Sequence, residues 1–79
     1  MPSTTTLDQL AQGQVAKVKK VLGNGALRRR LMDMGFTEGE QIEMIRTSPF
    51  GDPVEYKLRG YALTLRKSEG QSIEIELVS

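Results

Sequence analysis

Apolar and polar residues alternate along most of the second half of the chain. The alternation runs through residues 54–58, 61–65 and 72–78, and the last segment places Ile73, Ile75 and Leu77 on one face. A period of two residues indicates half-buried β-strands. Arg59-Gly60 separates the first two segments, which is the spacing of a tight hairpin. The residues expected to face the core in those two strands are Val54, Tyr56, Leu58, Tyr61, Leu63 and Leu65.

Two further strands precede these. In "TEGEQIEMIRT", Gly39 supplies a turn, and Ile42 and Met44 then share one face. In "QVAKVKKVL", residues 14–22, Ala16 and Val18 alternate with lysines, but Val21 is out of phase with them. A bulge near Lys19-Lys20 would return Val21 to the core face. The sequence therefore predicts five short strands.

One segment between the first two strands is helical in pattern. "ALRRRLMDMGF" has an apolar stripe at i, i+4 and i+7, with Asn24 placed to cap the helix at its start. Gly35 fits the left-handed position after the last turn, and Phe36 would then fold back on Leu31. The stripe consists of Leu27, Leu31 and Met34.

The ends of the chain add two short elements. "TTTLDQLAQG" predicts a short N-terminal helix in which Thr6 and Gln9 form a capping box and which ends at Gly13. "KSEGQ" predicts a turn or one turn of 3₁₀ helix before the last strand. Five hairpin-connected strands with one apolar face each close best into a small barrel. We expect a mainly β domain spanning residues 1–79, with an inserted helix and a short N-terminal helix.

Composition excludes several classes of chemistry. The 79 residues contain no cysteine and no histidine, which rules out disulfides, thiolate metal sites and histidine-activated nucleophiles. We therefore expect a protein that is not an enzyme. A formal net charge of +1 gives no strong attraction to nucleic acid or to a membrane. We find neither a secretion signal nor a run of apolar residues that could span a bilayer, and we expect an intracellular location.

The order of these elements resembles a known family. The stretch "RRRLMDMGFTEGEQIEMIRTSPFGDPVEYKLRGYALTLRKSEGQSIEI" closely resembles ferrous iron transport protein A, the FeoA family. Family members share an arginine-leucine helix ending in glycine, a Pro-x-Gly-Asp-Pro loop and a Leu-x-Leu-Arg strand, and the resemblance covers residues 7–78. Two positions depart from it, since Ser48 and Gly70 stand where many members have alanine.

The resemblance implies both a fold and a partner. The fold would be a small SH3-like barrel with added helices. The function would be that of a cytoplasmic accessory protein that binds the membrane transporter FeoB, whose cytoplasmic part includes a GTP-binding domain. Similar SH3-like domains form the C-terminal domains of iron-dependent transcriptional repressors. The alternative function is therefore that of a regulatory module linked to nucleic acid. No recognition helix of the winged-helix type precedes the predicted barrel, which disfavours direct binding of DNA.

The loop "SPFGDP" is the first candidate binding surface. Its residues are Pro49, Phe50, Gly51, Asp52 and Pro53, which follow Ser48. Prolines fix the backbone, glycine allows a positive φ, and aspartate can hold an Asx-type turn. The loop is thus either a stiff connection or a preordered recognition element. The sequence leaves open whether Phe50 points to the barrel or to a partner.

The outward side of the helix is the second candidate surface. Arg28 and Met32 are neighbours at i, i+4, opposite the core stripe that contains Leu31. Arginines around a methionine match the composition of interface cores, although a solvated face or contact with phosphate would also fit. We expect Leu31 to hold the helix on the barrel, so that it shapes this surface indirectly.

No cofactor or metal site is expected. Four carboxylates lie close together in sequence and could hold a hard cation only weakly: Asp33, Glu38, Glu40 and Glu43. Without histidine or cysteine, a dedicated ferrous site is disfavoured. Association of two copies through exposed strand edges is a further expectation.

Overall fold

The computed structural model describes residues 4–78 and contains one six-stranded antiparallel sheet, in the order β1-β6-β2-β3-β4-β5. The strands are β1 (Thr4–Thr6), β2 (Val15–Val21), β3 (Gln41–Thr47), β4 (Val54–Leu58), β5 (Tyr61–Leu65) and β6 (Ile73–Val78). The helical elements are α1 (Gly25–Asp33), α2 (Lys67–Gly70) and a 3₁₀ turn (Leu7–Gln9). The mainly β fold class is confirmed.

The N-terminal segment differs from its prediction. Residues 4–6 form a sixth strand, in which Thr5 pairs with Ile75 of β6. The predicted helix is one 3₁₀ turn, and Thr6 makes no capping hydrogen bond to its backbone. The Thr6 hydroxyl instead donates to the carboxylate of Asp8. Pairing with β6 therefore decides the conformation of a threonine run whose local pattern is compatible with a helix start.

The bulge predicted in β2 is confirmed. The register between β2 and β6 shifts between Val18 and Lys20, so that Val18 and Val21 are both buried. The extra residue also places two consecutive lysines, Lys19 and Lys20, on the exposed face. A second bulge, between Met44 and Arg46 of β3, was not predicted.

The apolar core follows the predicted pattern with two corrections. The buried residues are Leu7, Leu10, Ala16, Val18, Val21, Leu31, Phe36, Ile42, Met44, Val54, Tyr56, Leu58, Leu65, Ile73 and Ile75. Tyr61 and Leu77 were predicted to face the core, but both are exposed. Tyr61 begins an edge strand and its hydroxyl donates to the carbonyl of Met34. Leu77 lies beyond the last residue of β6 that pairs with β1.

Helix α1 begins and ends where the sequence predicts. Asn24 occupies the N-cap position, although its side chain makes no capping hydrogen bond. At the other end, the N–H of Phe36 donates to the carbonyl of Leu31 at 3.2 Å, and Gly35 has a φ of +111°. These features form a Schellman motif. Leu31 and Phe36 are both fully buried, as the predicted hydrophobic contact requires.

Helix α2 is a single α-helical turn where a turn or 3₁₀ helix was predicted. Its Gly70 packs closely against the 3₁₀ turn. A Cβ added at Gly70 would lie only 3.2 Å from the backbone nitrogen of Asp8. Between residues 4 and 78, no helix combines the length and the apolar character needed to cross a membrane.

Candidate functional site

The loop between β3 and β4 is closed by its own backbone. The N–H of Gly51 donates to the carbonyl of Ser48 at 2.8 Å, and the N–H of Ser48 donates to the carbonyl of Pro53 at 3.1 Å. Gly51 adopts a φ of +85°, which glycine tolerates without steric cost. The peptide bond between Asp52 and Pro53 is cis. The loop therefore has a defined turn at its tip and a closed base.

Asp52 binds a different partner from the one that its loop pattern predicts. Its carboxylate accepts a hydrogen bond from the backbone N–H of Lys67, at 3.0 Å, instead of holding an Asx turn within the loop. Lys67 is the first residue of α2, and the N-cap residue of that helix is Arg66. An arginine side chain has no acceptor atom, so it cannot cap a helix start. Asp52 supplies that acceptor from outside the helix.

Phe50 points away from the barrel. Its side chain is 95% exposed at the tip of the loop, which answers the question that the sequence left open. A ring in this position adds nothing to the core of the protein. Aromatic side chains on preordered elements are common anchors of protein interfaces, because little entropy remains to be lost on binding.

An open groove lies beside this loop. Its lining residues are Arg46, Thr47, Ser48, Pro49, Pro53, Glu55 and Thr64. Arg46 and Glu55 form an ion pair of 2.8 Å on one wall. The Ser48 hydroxyl oxygen is buried and has no hydrogen-bond partner among the described residues. The groove thus carries polar groups as well as proline rings.

On the second surface, the structure separates the three predicted residues by exposure. Leu31 is fully buried, whereas Arg28 is exposed and Met32 retains 38% of its accessible surface. Nε of Arg28 donates to the carbonyl of Val21 at 3.4 Å, which lays the guanidinium across the end of β2. The predicted division between a core stripe and an outward face of α1 is confirmed.

Two shallow grooves flank Arg28 and Met32. One is formed by α1 itself and lined by Gly25, Arg28, Arg29, Met32 and Asp33. The other lies between α1 and β2 and is lined by Lys19, Lys20, Val21, Arg28, Met32, Phe36, Thr37 and Glu38. We did not predict that Lys19 and Lys20 would join this surface. The signal was nevertheless present, because the predicted bulge turns both lysines outward.

The two candidate surfaces do not share a groove, but hydrogen bonds and an ion pair connect them. Asp52 of the loop binds α2 at Lys67, and Glu69 of α2 pairs with Arg30 of α1. Glu69 also accepts the N–H of Arg66 at 2.9 Å, which fixes its position on α2. Helix α2 therefore lies between the loop and α1 and bonds to both.

The predicted acidic group is dispersed in the structure. Glu40 forms an ion pair with Arg59 at 2.7 Å, which raises the pKa of that guanidinium, and Glu43 pairs in register with Lys57 of β4. Across residues 4–78, no three carboxylates are grouped in a way that could hold a metal ion. This part of the chain therefore offers no cluster from which to argue metal binding.

Comparison with known proteins places residues 5–77 in the FeoA domain model. Over 73 residues the chain is 37% identical to the Fe(2+) transport protein A/Fe(2+) transporter FeoB fusion protein of Porphyromonas gingivalis. That match covers 92% of this chain and 9% of the fusion protein. The chain thus spans less than a tenth of the length of that relative.

Solved structures share the fold. A FeoA-like protein from Clostridium acetobutylicum superposes with a TM-score of 0.91 at 35% identity, covering 100% of this chain and 92% of that one. The zinc complex of Stenotrophomonas maltophilia FeoA, described as an SH3 domain protein, gives 0.80 at 31% identity, covering 90% and 88%. A manganese-dependent transcriptional repressor gives 0.86 at 13% identity, covering 99% of this chain and 44% of the repressor. This last likeness concerns the fold alone.

Proposed function

The chain belongs to the FeoA domain family, and we propose that it is a cytoplasmic accessory protein of ferrous iron uptake that binds a FeoB-type transporter. The support is a relative in which the matching region and a FeoB transporter form one polypeptide. Covalent linkage raises the effective concentration of two parts that must meet, so a fusion is the arrangement expected of cooperating partners. The structural observation that carries the proposal is the nearly complete exposure of Phe50 on a hydrogen-bonded loop.

The GTP-binding domain in the cytoplasmic part of the transporter is the proposed target. The chain acts by binding and not by catalysis, as one folding unit over residues 1–79. Binding changes nucleotide turnover or gating only when the affinity differs between two states of the transporter. The proposal therefore requires different affinities for the GTP-bound and GDP-bound forms of that domain.

The contact surface is proposed to include both candidate regions. Phe50 is the apolar anchor of the loop, whose remaining residues, Pro49, Gly51, Asp52 and Pro53, hold its shape. On α1, Arg28 offers charge-assisted hydrogen bonds and Met32 an adaptable apolar contact. Leu31 supports this face from within the core.

The direct test is a titration of the transporter's purified cytoplasmic domain with this protein in each nucleotide state. Phe50→Ala is expected to weaken binding by roughly tenfold or more, as interface anchors do. Leu77→Ala is the matched control, because it shortens another exposed apolar side chain on a different part of the surface. Equal affinities of the two variants and the wild type would show that the loop is not part of the interface. An absence of binding by the wild type would overturn the proposed partner.

A regulatory module linked to nucleic acid is the second candidate function. The observation that favours it is the fold shared with the manganese-dependent repressor, although a shared fold does not establish a shared function. Binding of duplex DNA with a steep dependence on salt concentration would favour this alternative.

Self-association through a strand edge is also proposed. Strand β5 is last in the sheet order and carries no charged residue, so it lacks a common protection against edge pairing. Because Leu58 and Tyr61 close a two-residue turn, the backbone groups of Ala62 and Thr64 point to the free edge. Sedimentation of wild type and Thr64→Lys over a range of concentrations tests this: a dimer that the lysine abolishes is the expected result.

A further inference from the structure

Four cations surround the exposed part of Met32. Lys19 and Lys20 come from the bulge of β2, and Arg28 and Arg29 come from α1. Two adjacent grooves contain these residues, and both grooves include Arg28 and Met32. We refer to the two grooves together as the basic groove.

Most of these cations have no carboxylate partner. Within residues 4–78, no carboxylate lies within 4.0 Å of Lys20, Arg28 or Arg29, whereas Arg30, Arg46 and Arg59 are each paired. Lys20 stands opposite Glu74 in the sheet register, yet the two side chains do not meet within that distance. Lys19 reaches Glu76 only at 3.9 Å. The basic groove therefore presents positive charge that the fold itself does not neutralise.

The charge is local. The whole chain has a formal net charge of only +1. The positive charge of the basic groove therefore arises from where the fold positions these side chains, and not from an excess of basic residues. Two carboxylates, those of Asp33 and Glu38, also line the grooves. Local charge of one sign selects and orients a partner of the opposite sign more than it adds bulk affinity.

We propose that the basic groove docks an acidic polypeptide segment that places an apolar side chain on Met32. Resting on the proposed function, this assigns the segment to the cytoplasmic part of the transporter. Carboxylates of the segment would pair with Lys20, Arg28 and Arg29, and the guanidinium groups can bind them in bidentate geometry. The flexible thioether of Met32 would adapt to the apolar residue between them.

The residues of the groove favour a polypeptide over a nucleic acid. Its centre is the partly exposed side chain of Met32, and its single aromatic residue, Phe36, is fully buried and cannot stack on a base. Asp33 and Glu38 would repel a continuous phosphate backbone. A peptide can instead place uncharged residues beside these two carboxylates.

The first experiment measures binding of the transporter's cytoplasmic domain to variants of this protein. The substituted residues lie outside the contact surface named under the proposed function. Lys20→Glu and Arg29→Glu are each expected to weaken binding by roughly tenfold, with an affinity that falls as ionic strength rises. Lys57→Glu makes the same charge change on β4, outside the basic groove, and is expected to bind like wild type. Wild-type affinity in both groove variants would overturn the proposal that the basic groove binds the transporter, and it would leave the proposed function intact.

The second experiment does not depend on the transporter. Backbone NMR shifts of the full chain are followed during titration with a synthetic peptide of glutamates interspersed with leucines, and in parallel with duplex DNA. Shifts confined to residues 19–21 and 28–38, and lost in Lys20→Glu, support the basic groove as a site for an acidic segment, even when the transporter domain does not bind and so does not supply that segment. Absent or evenly spread shifts overturn it, as does tighter binding of DNA than of the peptide at these residues.

Discussion

The carboxylate of Asp52 accepts a hydrogen bond from the backbone N–H of Lys67, which fixes the exposed loop to the first turn of α2. The same helix bonds to α1 through the ion pair of Glu69 and Arg30. The two surfaces proposed to bind the transporter are thus held in one arrangement by a helix of four residues. Phe50 can be both almost fully exposed and well positioned because Asp52, two residues further along the loop, is bonded to α2.

Removing the Asp52 carboxylate should destabilise the protein. Asp52→Ala leaves the backbone N–H of Lys67 without its side-chain acceptor, and we expect a loss of about 0.5–2 kcal/mol in the free energy of unfolding, measured by urea denaturation. Asp52→Asn keeps an acceptor oxygen and should lose less. An alanine variant as stable as wild type would show that the hydrogen bond does not contribute.

Truncation of two adjacent residues of α1 should affect different properties, the stability of the fold in one case and binding in the other. Leu31→Ala opens a cavity in the core and should cost about 2–5 kcal/mol, because Leu31 is fully buried. Met32→Ala should change the stability by less than about 0.5 kcal/mol and act on binding instead. Thermal unfolding and transporter binding of both variants check this. Equal stability losses would contradict the assigned division of the helix into a core stripe and a binding face.

Glycine at position 35 is required by both its backbone angle and its surroundings. An added Cβ would lie 3.1 Å from Cδ2 of Leu58 and 3.2 Å from the Tyr61 hydroxyl oxygen, at a φ of +111°. Gly13→Ala is the control, since its φ of +85° carries a backbone cost with no atom within 4 Å. Urea denaturation should show a loss of about 1–3 kcal/mol for Gly35→Ala. That loss should exceed the one in Gly13→Ala, and equal losses would show that space is not limiting.

The buried phenol of Tyr56 should make stability fall at alkaline pH. Burial, followed by the charges of Asp8 and Asp52, raises its pKa from 10.0 to about 12. The folded state therefore holds this proton more tightly than the unfolded state does. Its contribution to stability is complete below about pH 10 and is lost as the pH rises toward 12.

Tyr56→Phe isolates this effect from the titration of lysines. The variant loses the hydrogen bond to the carbonyl of Leu7 at 3.3 Å, but its stability should fall less than that of wild type over the same pH range. Urea denaturation of both proteins at a series of pH values between these limits measures the difference. Parallel curves would contradict a raised pKa in the folded state.

Much of the fold could be predicted because local patterns and tertiary packing agree. The period-two segments of β3, β4 and β6 each bury one face, and the stripe of α1 places Leu31 in the core. The mismatch of Val21 with its neighbours required a bulge, which the structure contains. The sixth strand was missed because residues 4–6 are extended only through their pairing with β6.

The sequence by itself determined the family, the stiffness of the loop and the outward position of Arg28 and Met32, since these follow from residue order, turn chemistry and helical spacing. Only the tertiary structure decided where Phe50 points, which helix Asp52 caps and which cations surround Met32. These outcomes depend on contacts between residues far apart in the chain, such as Asp52 with Lys67. Neither local propensity nor periodicity encodes the distance between such residues.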